Sequence, residues 1–145
     1  MTETKFAKEL TMNDTGESST HQAGIHIQKK EGELIEFLPY LDPSIKNPDR
    51  WIVFVDETGC EWTFRYIYYN NKLHDERGTR DEYRLTHTTK YFRAVGAKSG
   101  DTLQISQDDN KKYRIEVIPG ERVEDGNSRG GMSTRIRLKG WRRVH

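Results

Sequence analysis

Apolar and polar positions along this 145-residue chain change over in short runs, and most of the runs have a period of two. Phe6 to Thr11 reads as a first strand, and Ala23 to Gln28 alternates like a half-buried one. Between them Asn13 to Gln22 holds no apolar residue. Glu33 to Leu38 predicts a short helix with Leu34, Ile35, Phe37 and Leu38 on its apolar side, closed by Pro39. Tyr40 to Asp49 carries Pro43 and Pro48 and reads as a loop. Arg50 to Asp56 and Glu61 to Tyr69 are strands joined by the turn Asp56-Glu57-Thr58-Gly59, the clearest hairpin in the chain. A second polar stretch runs from Asn70 to Asp81. After it come a strand, Tyr83 to His87, and a short helix, Thr89 to Val95, with Tyr91, Phe92 and Val95 facing inward. Thr102 to Ser106 and Tyr113 to Ile118 form another hairpin, and Arg122 to Gly131 is a glycine-bearing loop. Arg135 to Trp141 predicts a last strand with Ile136, Leu138 and Trp141 against the core. The expected fold is mainly β: a small barrel of about seven short strands and two short helices. One domain over 1–145 is expected, with its core at about 5–118 and a basic extension at 119–145.

Composition narrows the function classes. The longest apolar run, Trp51 to Val55, is far short of the roughly 20 residues of a membrane span. The N-terminus lacks the basic-then-apolar pattern of a signal peptide, and the lone Cys60 fits a reducing compartment. No nuclease motif, nucleophile constellation or metal-ligand spacing is evident, so neither catalysis by this chain nor a metal or other cofactor is expected. The net charge is only +1, which at first argues against a nucleic-acid partner. Resolved along the chain, Glu31 to Glu61 has eight acids against Lys46 and Arg50, a balance of −6. Arg129 to His145 has six bases and no acid, +6, and Arg65 to Arg93 has seven bases and four acids, +3. Such segregation either pairs the segments with one another or builds a basic face with the acidic segment lying away from it.

The two polar stretches carry the candidate chemistry, because loops on a rigid barrel are where function sits. In the second stretch an extended Arg80-Asp81-Glu82-Tyr83-Arg84 places Arg80, Glu82 and Arg84 on one side. That face has two readings. It is an intramolecular ion-pair ladder, or it is a base-reading surface. In the second case the arginine forks take guanine O6 and N7, and the carboxylate accepts from cytosine N4.

Two ordered matches favour the second reading. Leu10-Thr11-Met12-Asn13-Asp14-Thr15-Gly16 with His21-Gln22-Ala23-Gly24-Ile25-His26-Ile27 resembles the N-terminal effector domain of EcoRII-type restriction endonucleases. So does Ile67-Tyr68-Tyr69-Asn70-Asn71 followed by Thr79-Arg80-Asp81-Glu82-Tyr83-Arg84-Leu85-Thr86. Tyr91 to Asp101 is similar to the helix and Gly-Asp turn of plant B3 domains, which share that fold. The resemblance covers roughly Lys8 to Ile118.

It implies a B3-like DNA-binding pseudobarrel with two arms, Asn13 to Gln22 and Tyr69 to Arg84, that clamp duplex DNA in the major groove. Base readers would be Arg80, Glu82, Arg84, His21 and Gln22, with Asn13 and Asp14 at base edges or ordering their loop. Phosphate contacts would come from Lys72, Arg77, Tyr69, Asn70, Tyr83, Arg135, Arg137, Arg142 and Arg143. Tyr83 stands where the family has a lysine, a departure that bears on target sequence or phosphate contacts. The implied partner is double-stranded DNA with a 5′-CCWGG-like target, bound by a monomer in the bacterial cytoplasm. The nuclease module would be a separate C-terminal domain of a parent enzyme. The alternatives are a stand-alone B3-like regulator and a β-barrel module for protein or carbohydrate.

Overall fold

The computed structural model describes residues 4–16, 24–120 and 140–144. Its strands follow the two-residue alternation closely. They are β1 (Thr4–Glu9), β2 (Ile25–Ile27), β3 (Asp49–Val55), β4 (Glu61–Tyr69), β5 (Glu82–Thr86), β6 (Thr102–Gln107), β7 (Tyr113–Ile118) and β8 (Trp141–Val144). The helices are α1 (Met12–Thr15), α2 (Gly32–Phe37), α3 (Asn71–His74) and α4 (Thr89–Val95).

One sheet contains all eight strands in the order β2-β5-β4-β3-β7-β6-β1-β8. The four strands from β2 to β3 are antiparallel, as are the four from β7 to β8. The two halves join through a short parallel contact, Phe54↔Tyr113 and Val55↔Arg114. The sheet wraps around a core that includes Ile25, Phe54, Phe64, Tyr66, Leu85, Leu103 and Ile105. Helix α4 packs Tyr91 on Trp62 and Phe64, on the β4 side. Helix α2 follows β2 but reaches the other half. Phe37 lies against Phe6 of β1 and Tyr113 of β7, and its carbonyl accepts the Tyr113 hydroxyl at 2.7 Å. Among the described residues no helix is long and apolar enough to cross a membrane.

The β3–β4 hairpin is pinned by Asp56. Its carboxylate accepts from the Thr58 amide and hydroxyl, the Cys60 amide and the Trp62 indole at 2.6–2.9 Å. The Thr58 and Trp62 side-chain donors lead in pulling its pKa down to about 2.

Among the described residues there are eight strands and four helices, against about seven and two expected. The last described strand is Trp141–Val144, where Arg135 to Trp141 was expected, and Trp141 is buried as predicted; positions 121–139 lie outside the described residues. The one-turn helices α1 and α3 sit inside or beside the polar stretches. At four residues each they are too short to show a helical period.

Candidate nucleic-acid interface

Strand β5 positions the central residues. Period-two alternation turns Tyr83 and Leu85 one way and Glu82 and Arg84 the other. Leu85 is fully buried, and the Tyr83 ring stacks on Tyr68 at 4.2 Å and 4°. On the opposite face Arg80 Nη2 and Arg84 Nε each donate to the same oxygen of Glu82, Oε2, at 2.7 Å. Arg80 also lies over the Tyr69 ring, 3.8 Å from its centroid, and Arg84 donates to the Gly24 carbonyl at 3.3 Å. Burial pushes the Glu82 carboxyl up, but hydrogen bonds from Arg80 and Arg84 outweigh it and hold the pKa below the usual value. Glu82 is therefore ionised at neutral pH. The ion-pair ladder exists, and it fixes two planar donor forks side by side on an accessible face.

The second arm is a hydrogen-bonded loop built on two asparagines. Asn70 is fully buried. Its side chain accepts from the Asn47 amide at 2.7 Å and donates to the Ile45 and Pro43 carbonyls at 2.9 and 3.3 Å. Asn71 Oδ1 accepts from the Arg80 amide at 2.8 Å, and the Arg80 carbonyl accepts from the Lys72 amide at 3.0 Å. A Cβ on Gly78 would come within 2.1 Å of the Asn71 carbonyl oxygen, so only glycine lets the loop close. Lys46 pairs with Asp75 at 2.8 Å, while Lys72 and Arg77 are exposed. Asp81 accepts from the Tyr68 hydroxyl and Lys29, which hold its pKa down and tie the arm's return to the β2–α2 turn.

Several residues expected to touch DNA have partners inside the chain. Asn70 is sealed inside the arm, and its polar atoms are spent on the 43–47 loop. Tyr83 faces the opposite way from Glu82 and Arg84, because its position in the strand is odd where theirs is even. Tyr69 is the platform under Arg80.

Asp14 is buried. With Thr11 it forms a capping box on α1, and its Oδ2 pairs with Lys8 Nζ at 2.5 Å. These contacts fix its carboxylate against α1 and β1. Asn13 is exposed. His21, Gln22, Arg135 and Arg137 lie outside the described residues. Arg142 is exposed on β8, and Arg143 pairs with Glu33 at 3.3 Å.

The acidic segment does not lie apart from the basic ones: besides Glu33–Arg143, Asp49 pairs with Arg65 at 2.6 Å. The β3–β4 register and the packing of α2 beside β8 bring the segments together.

One residue at this surface was not singled out from sequence. His26 of β2 is the cross-strand partner of Arg84. Burial, then the Arg84 charge, push its pKa below the ordinary histidine value, so the ring is neutral at pH 7. Its signal was the alternation Ile25-His26-Ile27, which turns it away from the core, but its neighbour follows only from the register. Gly24 beside it has φ +89°, and a Cβ there would meet the Leu85 carbonyl oxygen at 2.5 Å, so β2 lies close on β5.

Comparison with known proteins matches this geometry. Two forms of Auxin response factor 11, from Oryza sativa subsp. indica and subsp. japonica, are each 30% identical over 132 residues. The match covers 89% of this chain but only 12% of the length of those relatives. Among solved structures, the Arabidopsis FUS3-DNA complex superposes with a TM-score of 0.59 at 26% identity, covering 79% of this chain and 96% of that one. The sheet is thus a B3-like pseudobarrel. A model of the family described as restriction endonuclease EcoRII, N-terminal, matches residues 2–117, which span both arms and the strands between them, and the chain belongs to that family.

Proposed function

We propose that this domain binds double-stranded DNA sequence-specifically, reading base edges in the major groove with the outer face of β5. The observation that carries this reading is the pair of guanidinium groups converging on one oxygen of Glu82. Each arginine keeps planar N–H donors for the O6 and N7 of a guanine, and the Glu82 carboxylate accepts from a cytosine N4. Fixing the forks beforehand lowers the entropy lost on binding. Three rigid groups of this chemistry suit a G·C-rich target, and the family resemblance supplies the candidate 5′-CCWGG.

His26 extends the row beyond Arg84. His21, Gln22 and Asn13 complete base reading from the first arm, and Lys72, Arg77, Arg135, Arg137 and Arg142 set register on phosphates. Asp14, Asn70, Tyr69 and Tyr83 hold these groups in place. The likeness to a B3 domain in complex with DNA supports the duplex as partner.

The domain acts as a monomer and performs no chemistry; in a bacterial parent endonuclease, cleavage belongs to a separate module. The match to Auxin response factor 11 over 89% of the chain favours a second reading, a B3-like regulator with no nuclease partner. A cytosine methyltransferase gene beside this one would decide for restriction.

The test is a gel shift with a 5′-CCWGG duplex and a scrambled one at physiological salt. Discrimination of about a hundredfold or more is expected. With a net charge of +1 the scrambled duplex should bind weakly, since bulk attraction is small. Equal affinity for both duplexes would refute specific recognition.

A further inference from the structure

We infer that Trp141 of the C-terminal strand is a positioning residue for the reading face: its indole N–H holds the outer edge of β2, so that His26 and the foot of the first arm stay beside Arg84. The consequence for recognition rests on the DNA-reading proposal above; the positional claim does not.

Strands β2 and β8 are the two ends of the sheet order. Strand β2 has three residues, and among the described residues it pairs with β5 alone and β8 with β1 alone. A three-residue strand with one partner has a weakly defined position. Across the gap between the two edges, Trp141 Nε1 donates to the His26 carbonyl at 3.3 Å. Trp141 is 7% exposed, so its ring is anchored in the core and its N–H must find an internal acceptor. Arg143 of β8 also pairs with Glu33 of α2 at 3.3 Å, but that pair is solvent-exposed and adds little.

The same corner holds the other foot of the first arm. Trp141 is the cross-strand partner of Lys8, whose Nζ pairs with Asp14 of α1. Strand β8 therefore backs Asp14 through Lys8, and His26 directly. It does so from a segment beyond residues 2–117, the part of the chain the family model matches.

The test uses the full chain carrying Trp141→Phe, which keeps an aromatic ring in the core and removes the donor. Two readouts are taken: affinity for the 5′-CCWGG and scrambled duplexes, and titration of the His26 imidazole by NMR. Affinity for 5′-CCWGG should fall about three- to tenfold, the range of one neutral hydrogen bond. Affinity for the scrambled duplex should not change, and in an Arg84→Ala background the substitution should cost nothing further. The His26 titration should move up toward the ordinary histidine value as β2 loosens from Arg84, Glu82, Lys8 and Asp14, the charged groups around it.

An unchanged His26 titration overturns the positional claim, and an equal loss on both duplexes overturns its consequence for recognition. If the parent itself fails to discriminate the duplexes, the DNA reading fails and the His26 titration alone decides the role of Trp141. Trp141→Ala should enlarge both effects; if it does not fold, the phenylalanine variant still decides.

Discussion

The inner face of β5 presents Tyr83 and Leu85 to the aromatic core, and its outer face presents Glu82 and Arg84 to solvent with Arg80 and His26 beside them. Both faces use contacts of comparable precision, a 4.2 Å ring stack on one side and two 2.7 Å ion pairs on the other. Their energetic roles differ. Buried apolar surface contributes directly to folding, by about 1.5–3 kcal/mol for a side chain such as Leu85. Partly exposed ion pairs contribute about 0–1 kcal/mol. The precision of the outer face therefore has little to do with stability. On the proposed function, it positions donors and an acceptor for DNA.

Substitutions can break this contrast. Leu85→Ala should show the largest effect, a loss of about 2–5 kcal/mol in denaturant unfolding. The ratio of affinities for the two duplexes should be retained by whatever fraction stays folded. Arg80→Ala should do the opposite: a loss of roughly 1–3 kcal/mol in binding 5′-CCWGG, much less on scrambled DNA, and under about 0.5 kcal/mol in stability. If Arg80→Ala unfolds the domain, or leaves duplex discrimination intact, the division between the faces is wrong.

The remaining predictions concern pH. The folded-state pKa of His26 is depressed, so the unfolded chain takes up its proton first as pH falls. Stability should be lost as pH drops below about 6.5, and His26→Gln should abolish that step. A separate loss should follow at lower pH, as Asp56 protonates between its ordinary value of 3.8 and its folded value of about 2. Asp56→Asn should remove that second step without touching the first.

Much of the fold was legible in the chain. The bounds of β4, β7 and α4 match the apolar alternation or helical run that predicts them. The outward face of Arg80, Glu82 and Arg84 followed from period two alone. What was not legible depends on distance along the chain. Asn70 is buried because its partners lie at Pro43, Ile45 and Asn47, more than twenty residues earlier, and no local pattern announces them. The same holds for the Glu33–Arg143 and Asp49–Arg65 pairs, which brought together segments that the charge pattern had set apart.

Asp14 is a different case, because a local signal was there. Thr11 and Asp14 have capping-box spacing, and that fixes the carboxylate against α1 before any ligand is considered. Both a place at base edges and an ordering role in the loop were expected of it. Tyr83 shows the converse: a residue in a recognition motif is committed to the core by parity in the strand.

The central claim is that the outer face of β5 meets the DNA while the inner face does not. The most direct measurement is an NMR titration of the protein with a 5′-CCWGG duplex, following the Arg80 and Arg84 guanidinium resonances and the Leu85 methyl groups together. The guanidinium signals should shift strongly and saturate with the duplex, while the Leu85 methyl groups stay in place. Saturable binding that leaves both guanidinium signals unmoved would contradict the account.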